Sequence, residues 1–257
     1  MKRLLVLATI ITGMIPGLSL AKEAGYLAPD AVDILAILPP APAAGDPRFE
    51  ADRAIFKTTR RFAGSPRWAL ATTDVSRATP DLLRDFSCAA GLVLTEDAAP
   101  SLVHLLKTAD ADTGHAAGFA KDHFKRLRPF LIDPGETCEP TESLAKGYDY
   151  PSNHATQGWT WGTLLAELIP ERASALLARG RAYGDSRIFC RAHNASAVEA
   201  ARLTAASVIA VLHTSAAFQA DLKTAHAELD GLRGDARTRH PTGCDGEAEL
   251  VGVPVFQ

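Results

Sequence analysis

The stretches Tyr150-Pro-Ser-Asn-His154 and Asp185-Ser-Arg-Ile-Phe-Cys-Arg-Ala-His193 are the two segments around which the rest of the chain is organised. Each carries a histidine beside hydroxyl, guanidinium and backbone N–H groups. Together they can supply a nucleophile, a proton donor and several hydrogen-bond donors for a tetrahedral anion. A third stretch upstream, Lys121-Asp-His-Phe-Lys-Arg-Leu-Arg-Pro129, adds the positive charges of Lys121 and Arg128. The three stretches therefore predict one anion site assembled from distant parts of the sequence.

Length and composition are those of a single domain. With 257 residues, 47% of them hydrophobic, the chain can bury one sizeable core. Residues 1–21 have the pattern of a secretory signal peptide, with basic Lys2 and Arg3, an apolar run from Leu4 to Ile15, and small residues around Leu20. No later run of about 20 apolar residues follows. We therefore expect an exported, soluble mature protein without a membrane span.

The charge balance argues against a nucleic-acid partner. The whole chain has 27 basic and 30 acidic residues, a net charge of −3. Removal of residues 1–21 takes away Lys2 and Arg3 and no acid, which leaves 25 basic against 30 acidic residues, or −5. A mildly acidic protein has no broad basic surface for a phosphate backbone. Any phosphate site must come from local clustering of cations.

The four cysteines predict two disulfides. Cys88, Cys138, Cys190 and Cys244 all lie in the mature part of the chain, without the Cys-x-x-Cys spacing of zinc or thioredoxin sites. In an exported protein the default is oxidation, and four cysteines permit three pairings among which the sequence does not choose. Buried free thiols are the alternative.

Residues 22–45 are rich in proline and alanine and include Leu38-Pro-Pro-Ala-Pro-Ala43. Regular helix is excluded there because proline removes backbone donors and restricts the residue before it. We expect an extended arm that lies on a body formed by residues 46–257.

Apolar spacing in residues 46–257 is helical. Proline after a residue that can cap a helix marks starts at Asp46-Pro47, Ser65-Pro66 and Thr79-Pro80. The predicted helices are 47–62, 66–75, 79–90, 96–109, 116–124, 154–168, 170–182 and 195–220, and residues 131–152 form a long loop. There is no alternating strand pattern, internal repeat or glycine-rich nucleotide loop. The predicted fold class is all-α, a single-domain bundle of roughly seven to ten helices.

The spacing of the three blocks resembles that of a known superfamily. The patterns Lys121-x6-Arg128-Pro129, Pro151-Ser152-Asn153-His154 and Ser186-Arg187-x5-His193 are similar to the three-part signature of the type 2 phosphatidic-acid phosphatase superfamily. Within it, the chain most resembles the bacterial class A non-specific acid phosphatases, and the likeness covers most of the mature chain. The resemblance implies the helical fold shared with vanadium haloperoxidases.

The resemblance also implies roles. His193 would be the nucleophile and His154 the general acid, and the phosphate-binding residues would be Lys121, Arg128, Ser152, Asn153 and Arg187. The implied reaction is hydrolysis of small-molecule phosphomonoesters at acidic pH through a phosphohistidine, with phosphoryl transfer to alcohols as a side reaction. It needs no metal and no cofactor. The implied location is periplasmic or secreted, and related enzymes often form homo-oligomers.

Two positions depart from the pattern of that family. Asn153 stands where glycine is common, a mild change because asparagine tolerates positive φ and keeps its N–H. Ala197 stands where the family usually has an aspartate that orients the nucleophilic histidine. Loss of the correct tautomer costs on the order of 10⁴ in turnover in serine proteases. Asp185 and Glu199 are the nearby acids, but Glu199 lies six residues past His193 and points elsewhere on a helix.

These departures leave alternatives open. One is an oxyanion-binding homologue whose turnover is weak or lost because of Ala197, and another is a vanadate-dependent haloperoxidase. A lone Lys121 or Arg187 is most often a solvated surface charge, and a lone His193 is most often structural. The ordered set of three blocks is what favours a catalytic site.

Overall fold

The computed structural model describes residues 24–256, except for the side chain of Ser143. The predicted signal peptide, residues 1–21, lies outside the described residues. Within them the regular structure consists of α-helices and short 3₁₀ turns, without strands. The all-α prediction is confirmed.

From residue 24, where the described structure begins, to the middle of the chain there are five α-helices. They are α1 (Ile34–Ile37), α2 (Pro47–Thr58), α3 (Pro66–Thr73), α4 (Thr79–Ala90) and α5 (Pro100–Phe124). The predicted starts of α2 and α3 are confirmed, because Asp46 Oδ1 accepts from Arg48 N at 2.7 Å and Ser65 Oγ accepts from Trp68 N at 3.2 Å. Each cap is followed by proline, whose fixed φ suits the first helical position.

The second half forms six further helices in the part of the chain that the structure describes, and the second and third blocks lie among them. They are α6 (Thr141–Leu144), α7 (Asn153–Leu168), α8 (Ala173–Phe189), α9 (Ala195–Leu212), α10 (Ala216–Gly234) and α11 (Cys244–Val251). The predicted loop of residues 131–152 is largely irregular, with α6 as one helical turn inside it.

Three helix boundaries were predicted wrongly. The segments 96–109 and 116–124 are one helix, α5, which begins only at Pro100 because proline is not tolerated in a helix interior. The segment 195–220 is two helices, since Ser215 Oγ accepts from Phe218 N and caps a new start. The third error is in α8, which runs past the predicted end at 182 to Phe189. Helix α11 was not predicted, and neither was α1, which lies inside the arm that was expected to be extended.

Close packing of α7 on α8 brings two of the three blocks together. The helices run antiparallel, because Gly184 lies against Ala155, Tyr183 against Gly158 and Gly180 against Gly162. A Cβ built on Gly162 would lie 3.0 Å from the Cα of Gly180, so a side chain there would force the backbones apart. The C-terminal end of α8 therefore lies beside the N-terminal end of α7.

Helix α9 is apolar because it is a core helix. By length and composition alone it could cross a membrane, with a mean hydropathy of 1.5. Its faces pack against α5, α7 and α8, and 61% of it is buried within the molecule. Burial in the protein accounts for its composition.

The arm of residues 24–45 is bonded to the helices beneath it. The Asp112 carboxylate on α5 accepts from the N–H groups of Tyr26 and Leu27, at 2.7 and 3.2 Å. Tyr26 Oη donates to Asp221 on α10 at 2.8 Å, and Tyr150 Oη donates to the carbonyl of Pro39 at 2.9 Å. The last of these contacts joins the arm to the residue before the second block.

Both cysteine pairs are disulfides, in one of the three pairings that the sequence leaves open. Cys88 is bonded to Cys244, which ties α11 to the end of α4. Cys138 is bonded to Cys190, which ties the long loop to the end of α8. The second bond holds loop residues next to Arg187 and His193.

Candidate active site

The two ring nitrogens of His193 have different partners. Nδ1 lies 2.8 Å from the backbone oxygen of Asp149 and 2.9 Å from its Oδ1. Nε2 lies 2.9 Å from Nη1 of Arg128. A guanidinium can only donate, and a carbonyl oxygen can only accept. The proton is therefore on Nδ1, and Nε2 keeps the lone pair that a nucleophile needs.

A tight turn after α8 aims His193 at the site. Arg191 has a φ of 62°, the left-handed conformation that reverses the chain after a helix. The N–H groups of Ala192 and His193 then both donate to the carbonyl of Arg187, at 3.0 and 3.1 Å. The buried imidazole is thereby held beside the last turn of α8, which carries Arg187.

His154 is held through the opposite nitrogen. Its Nε2 donates to the backbone oxygen of Asp74 at 2.8 Å, so in the neutral ring Nδ1 is the unprotonated nitrogen. The imidazole stacks on Tyr183, with ring centroids 5.2 Å apart and 18° between the planes. His154 is buried in the first turn of α7, whose cap is Ser152, with Oγ 3.3 Å from Ala155 N.

The three predicted phosphate-binding cations all hold acceptors of the protein. Lys121 Nζ donates to the carbonyl of Tyr148 at 2.8 Å. Arg128 donates to the carbonyls of Gly147 and Ala192, at 3.1 and 2.9 Å, besides Nε2 of His193. Arg187 forms an ion pair with Glu139, while its Nε is buried and has no partner among the described residues. An anion entering the site would exchange for these acceptors.

The start of α7 contributes backbone donors. The N–H groups of Asn153 and His154 lie in the first turn, where a helix has no carbonyl of its own for them. Asn153 has helical geometry and does not have positive φ, so the common glycine of the related family is not required here for conformation. Its Oδ1 is buried without a partner in the described part of the chain.

Burial among cations lowers the pKa of both histidines. For His193 the pKa falls well below its usual value because of burial, and Arg128, Lys121 and Arg187 add to the effect. For His154 the causes are burial, then Arg187. Burial and Arg128 also lower the pKa of Lys121 to about 7. The site therefore holds excess positive charge around two neutral imidazoles, an environment that favours an anion.

Sequence reasoning missed the acidic residues of the site. Of the two acids considered as partners of His193, Asp185 pairs with Arg181 and Arg202, and Glu199 is exposed. The carboxylate on His193 belongs to Asp149, in the loop just before the second block. Its signal was its place one residue before Tyr150, but only acids close to His193 in the sequence were considered as its partners.

Comparison with known proteins places this site in a family. A profile described as the PAP2 superfamily matches residues 105–220, which contain all seven predicted site residues. An acid phosphatase of Zymomonas mobilis subsp. mobilis is 40% identical over 208 residues, which cover 80% of this chain and 79% of that protein. Non-specific acid phosphatases of Providencia stuartii and Salmonella typhimurium are each 35% identical, over 79% and 75% of this chain and 83% and 78% of their own lengths.

Proposed function

The chain belongs to the PAP2 superfamily and is an acid phosphatase, and we propose that it hydrolyses small phosphomonoesters through a phosphohistidine at His193. The proposal rests on the unprotonated Nε2 of His193. This nitrogen lies 2.9 Å from Nη1 of Arg128, which is one of the three clustered cations. A phosphoryl group bound by that cluster would present its phosphorus to this nitrogen. His154 is assigned as the general acid.

Binding comes first in the proposed reaction. Lys121, Arg128 and Arg187 neutralise the non-bridging oxygens, since charge neutralisation is the main requirement of phosphoryl transfer. The N–H groups of Asn153 and His154 face the same oxygens, as helix N-termini face phosphate elsewhere. Ser152 shapes this end of α7 as its cap. Arg128 leaves Nε2 of His193 when it turns to the substrate.

Two displacements follow. In the first, Nε2 of His193 forms a bond to phosphorus, the bond from phosphorus to the ester oxygen breaks, and protonated His154 gives its proton to that oxygen. In the second, neutral His154 takes a proton from water, the water oxygen bonds to phosphorus, and the bond to Nε2 breaks. Phosphate leaves, and both imidazoles return to their first state. An alcohol in place of water would give phosphoryl transfer.

The proposed acid needs an acidic medium. Burial and Arg187 hold the pKa of His154 well below its usual value, so its protonated form is populated only as the pH falls. Lys121, with a pKa of about 7, is also fully charged only in acid. Turnover is therefore expected to rise as the pH falls below neutral.

Export is part of the proposal. The signal-like residues 1–21 support it, and the two disulfides are of the kind that persist in oxidising compartments such as the periplasm. Homo-oligomer formation stays a prediction, which light scattering on the purified protein would test. The alternative of a binding protein without turnover arose from Ala197, and the contact of Asp149 with His193 supports turnover instead.

The test is to trap the intermediate. Wild type should release p-nitrophenol from p-nitrophenyl phosphate in acid, in the presence of a chelator, and an alkaline quench should leave one phosphoryl group on the peptide that contains His193. His193→Ala should show neither. Full activity in His193→Ala would exclude the mechanism. Bromide oxidation with vanadate and peroxide, measured in the same preparation, would instead support the haloperoxidase alternative.

A further inference from the structure

Asp149 is a fully buried acid whose oxygens are all directed at the turn that carries His193. Its Oδ1 accepts from His193 Nδ1 at 2.9 Å and from the N–H of Asn194 at 3.1 Å. Its Oδ2 accepts from Asn194 Nδ2 at 2.8 Å and lies 3.4 Å from Nη1 of Arg126. Three hydrogen bonds and one ion pair fix the orientation of the carboxylate relative to the imidazole.

Asp149 offers Nδ1 of His193 two hydrogen-bond acceptors, a neutral backbone oxygen and a charged carboxylate oxygen. Its backbone oxygen, at 2.8 Å from Nδ1, is sufficient to hold the proton on that nitrogen. Its carboxylate adds a negative charge at 2.9 Å, which the carbonyl cannot supply. The charge matters once Nε2 has bonded to phosphorus, because the ring then keeps its Nδ1 proton and becomes cationic.

We infer that Asp149 is a positioning residue for the nucleophile, which orients the His193 ring and balances the positive charge that the ring gains on phosphorylation. The inference rests on the proposed function, because only a nucleophilic His193 gains that charge. Asp149 touches neither substrate nor phosphorus in this scheme.

The carboxylate comes from a different place than the resemblance led us to expect. Position 197, on α9, is a buried alanine whose carbonyl accepts from the N–H of Ser152 at 3.0 Å. Asp149 reaches the same ring from the loop that precedes α7. Because that loop also supplies the carbonyl of Tyr148 to Lys121, one short segment sets both the nucleophile and a phosphate-binding cation.

The carboxylate of Asp149 lies in a buried site, surrounded by hydrogen-bond donors and the Arg126 cation. Burial raises its pKa, and Arg126, Asn194 and Lys121 act against that rise. Arg126 is itself shared, since its Nη2 donates to Asp52 at 2.8 Å. Asp52 thus belongs to the same network but does not contact His193, which makes it a matched control.

The test is Asp149→Asn, which keeps the shape and the backbone oxygen but removes the charge. We expect kcat to fall about 10- to 100-fold, the range for a lost supporting carboxylate, and well short of the loss on the order of 10⁴ for a wrong tautomer. KM should change little, because the substrate contacts remain. The acid limb of the pH profile, where activity falls because His193 becomes protonated, should move to lower pH. The reason is that loss of a negative charge lowers the pKa of His193.

Asp52→Asn is the control for a merely structural effect. It should lower thermal stability to a similar extent and leave the acid limb where it is in wild type. An Asp149→Asn enzyme with wild-type kcat and an unmoved acid limb would overturn the inference while leaving the phosphohistidine mechanism intact. A fully active His193→Ala would remove both, so the two failures are distinguishable.

Discussion

The two histidines of the site are both buried, but they are hydrogen-bonded to the protein through different ring nitrogens. His193 and His154 both lie in the protein interior, each hydrogen-bonded to a backbone carbonyl, but one through Nδ1 and the other through Nε2. Only His193 also has a carboxylate, from Asp149, whereas His154 has the ring of Tyr183. A nucleophile that becomes cationic needs a nearby negative charge. An acid that must release a proton does not, and neighbouring cations make its proton easier to lose.

Of all the changes considered, replacement of the nucleophile should cause the largest loss of turnover. His193→Ala removes the only nitrogen in the scheme that bonds to phosphorus, so turnover should fall by on the order of 10⁴ or more for every phosphomonoester. Steady-state release of phosphate checks this, with binding of inorganic phosphate as the control for an intact pocket. Equal activity of this variant and wild type would contradict the assignment.

Replacement of the acid should give a smaller loss that depends on the leaving group. His154→Ala removes proton transfer, which contributes roughly 10²- to 10⁴-fold. Nitrophenolate leaves without a proton, so p-nitrophenyl phosphate should lose much less activity than an alkyl phosphate. Comparison of the two substrates in one preparation measures the difference. The same loss on both would show that His154 does not protonate the leaving oxygen.

The charge of Lys121 is among the causes that lower the pKa of His193, whereas the main charge that lowers the pKa of His154 is that of Arg187. Lys121→Met should raise KM and move the acid limb to higher pH, because His193 is freed from a neighbouring positive charge. A higher KM with an unmoved limb would show that Lys121 binds substrate without acting on the nucleophile.

The same variant has an expected effect on stability. The pKa of Lys121 falls from 10.5 to about 7 on folding, so the folded state binds fewer protons than the unfolded state between these values. The free energy of unfolding therefore rises with pH through that window. Below pH 7 the destabilisation caused by burying the charged Lys121 is present in full. Each pKa unit is worth about 1.4 kcal/mol, so Lys121→Met should unfold at a higher temperature than wild type at pH 5. The gain should shrink as the pH approaches 10, and a constant gain would point to packing.

The smallest effect is expected at Glu139, which pairs with Arg187 in the substrate-free site. Glu139→Gln keeps the side chain's shape and removes the acid with which substrate phosphate must compete. KM and the inhibition constant of inorganic phosphate should fall several-fold, with kcat little changed, because phosphate no longer has to displace a carboxylate from Arg187. Glu142→Gln, on α6 of the same loop, is the control and should leave both constants unchanged.

Much of the site was predictable from local sequence. Helix α7 begins at Asn153, one residue before the predicted start at His154. The place of Arg187 in the last turn of α8 was missed, because that helix was predicted to end at 182. The separate helices predicted at 96–109 and 116–124 failed because alanine and glycine in that stretch neither require nor exclude a break. The choice between one helix and two rests on the packing of α5 against α7 and α10.

The sequence by itself determined the helical class, the family and the order of the three blocks, because helical periodicity, capping and motif spacing are local properties. Only the tertiary structure decided that Asp149 faces His193, that Cys138 pairs with Cys190, and that Glu139 meets Arg187. Each of these contacts joins residues at least 44 positions apart. Such contacts depend on how α7 packs on α8 and where the long loop returns, and no pattern along the chain records either.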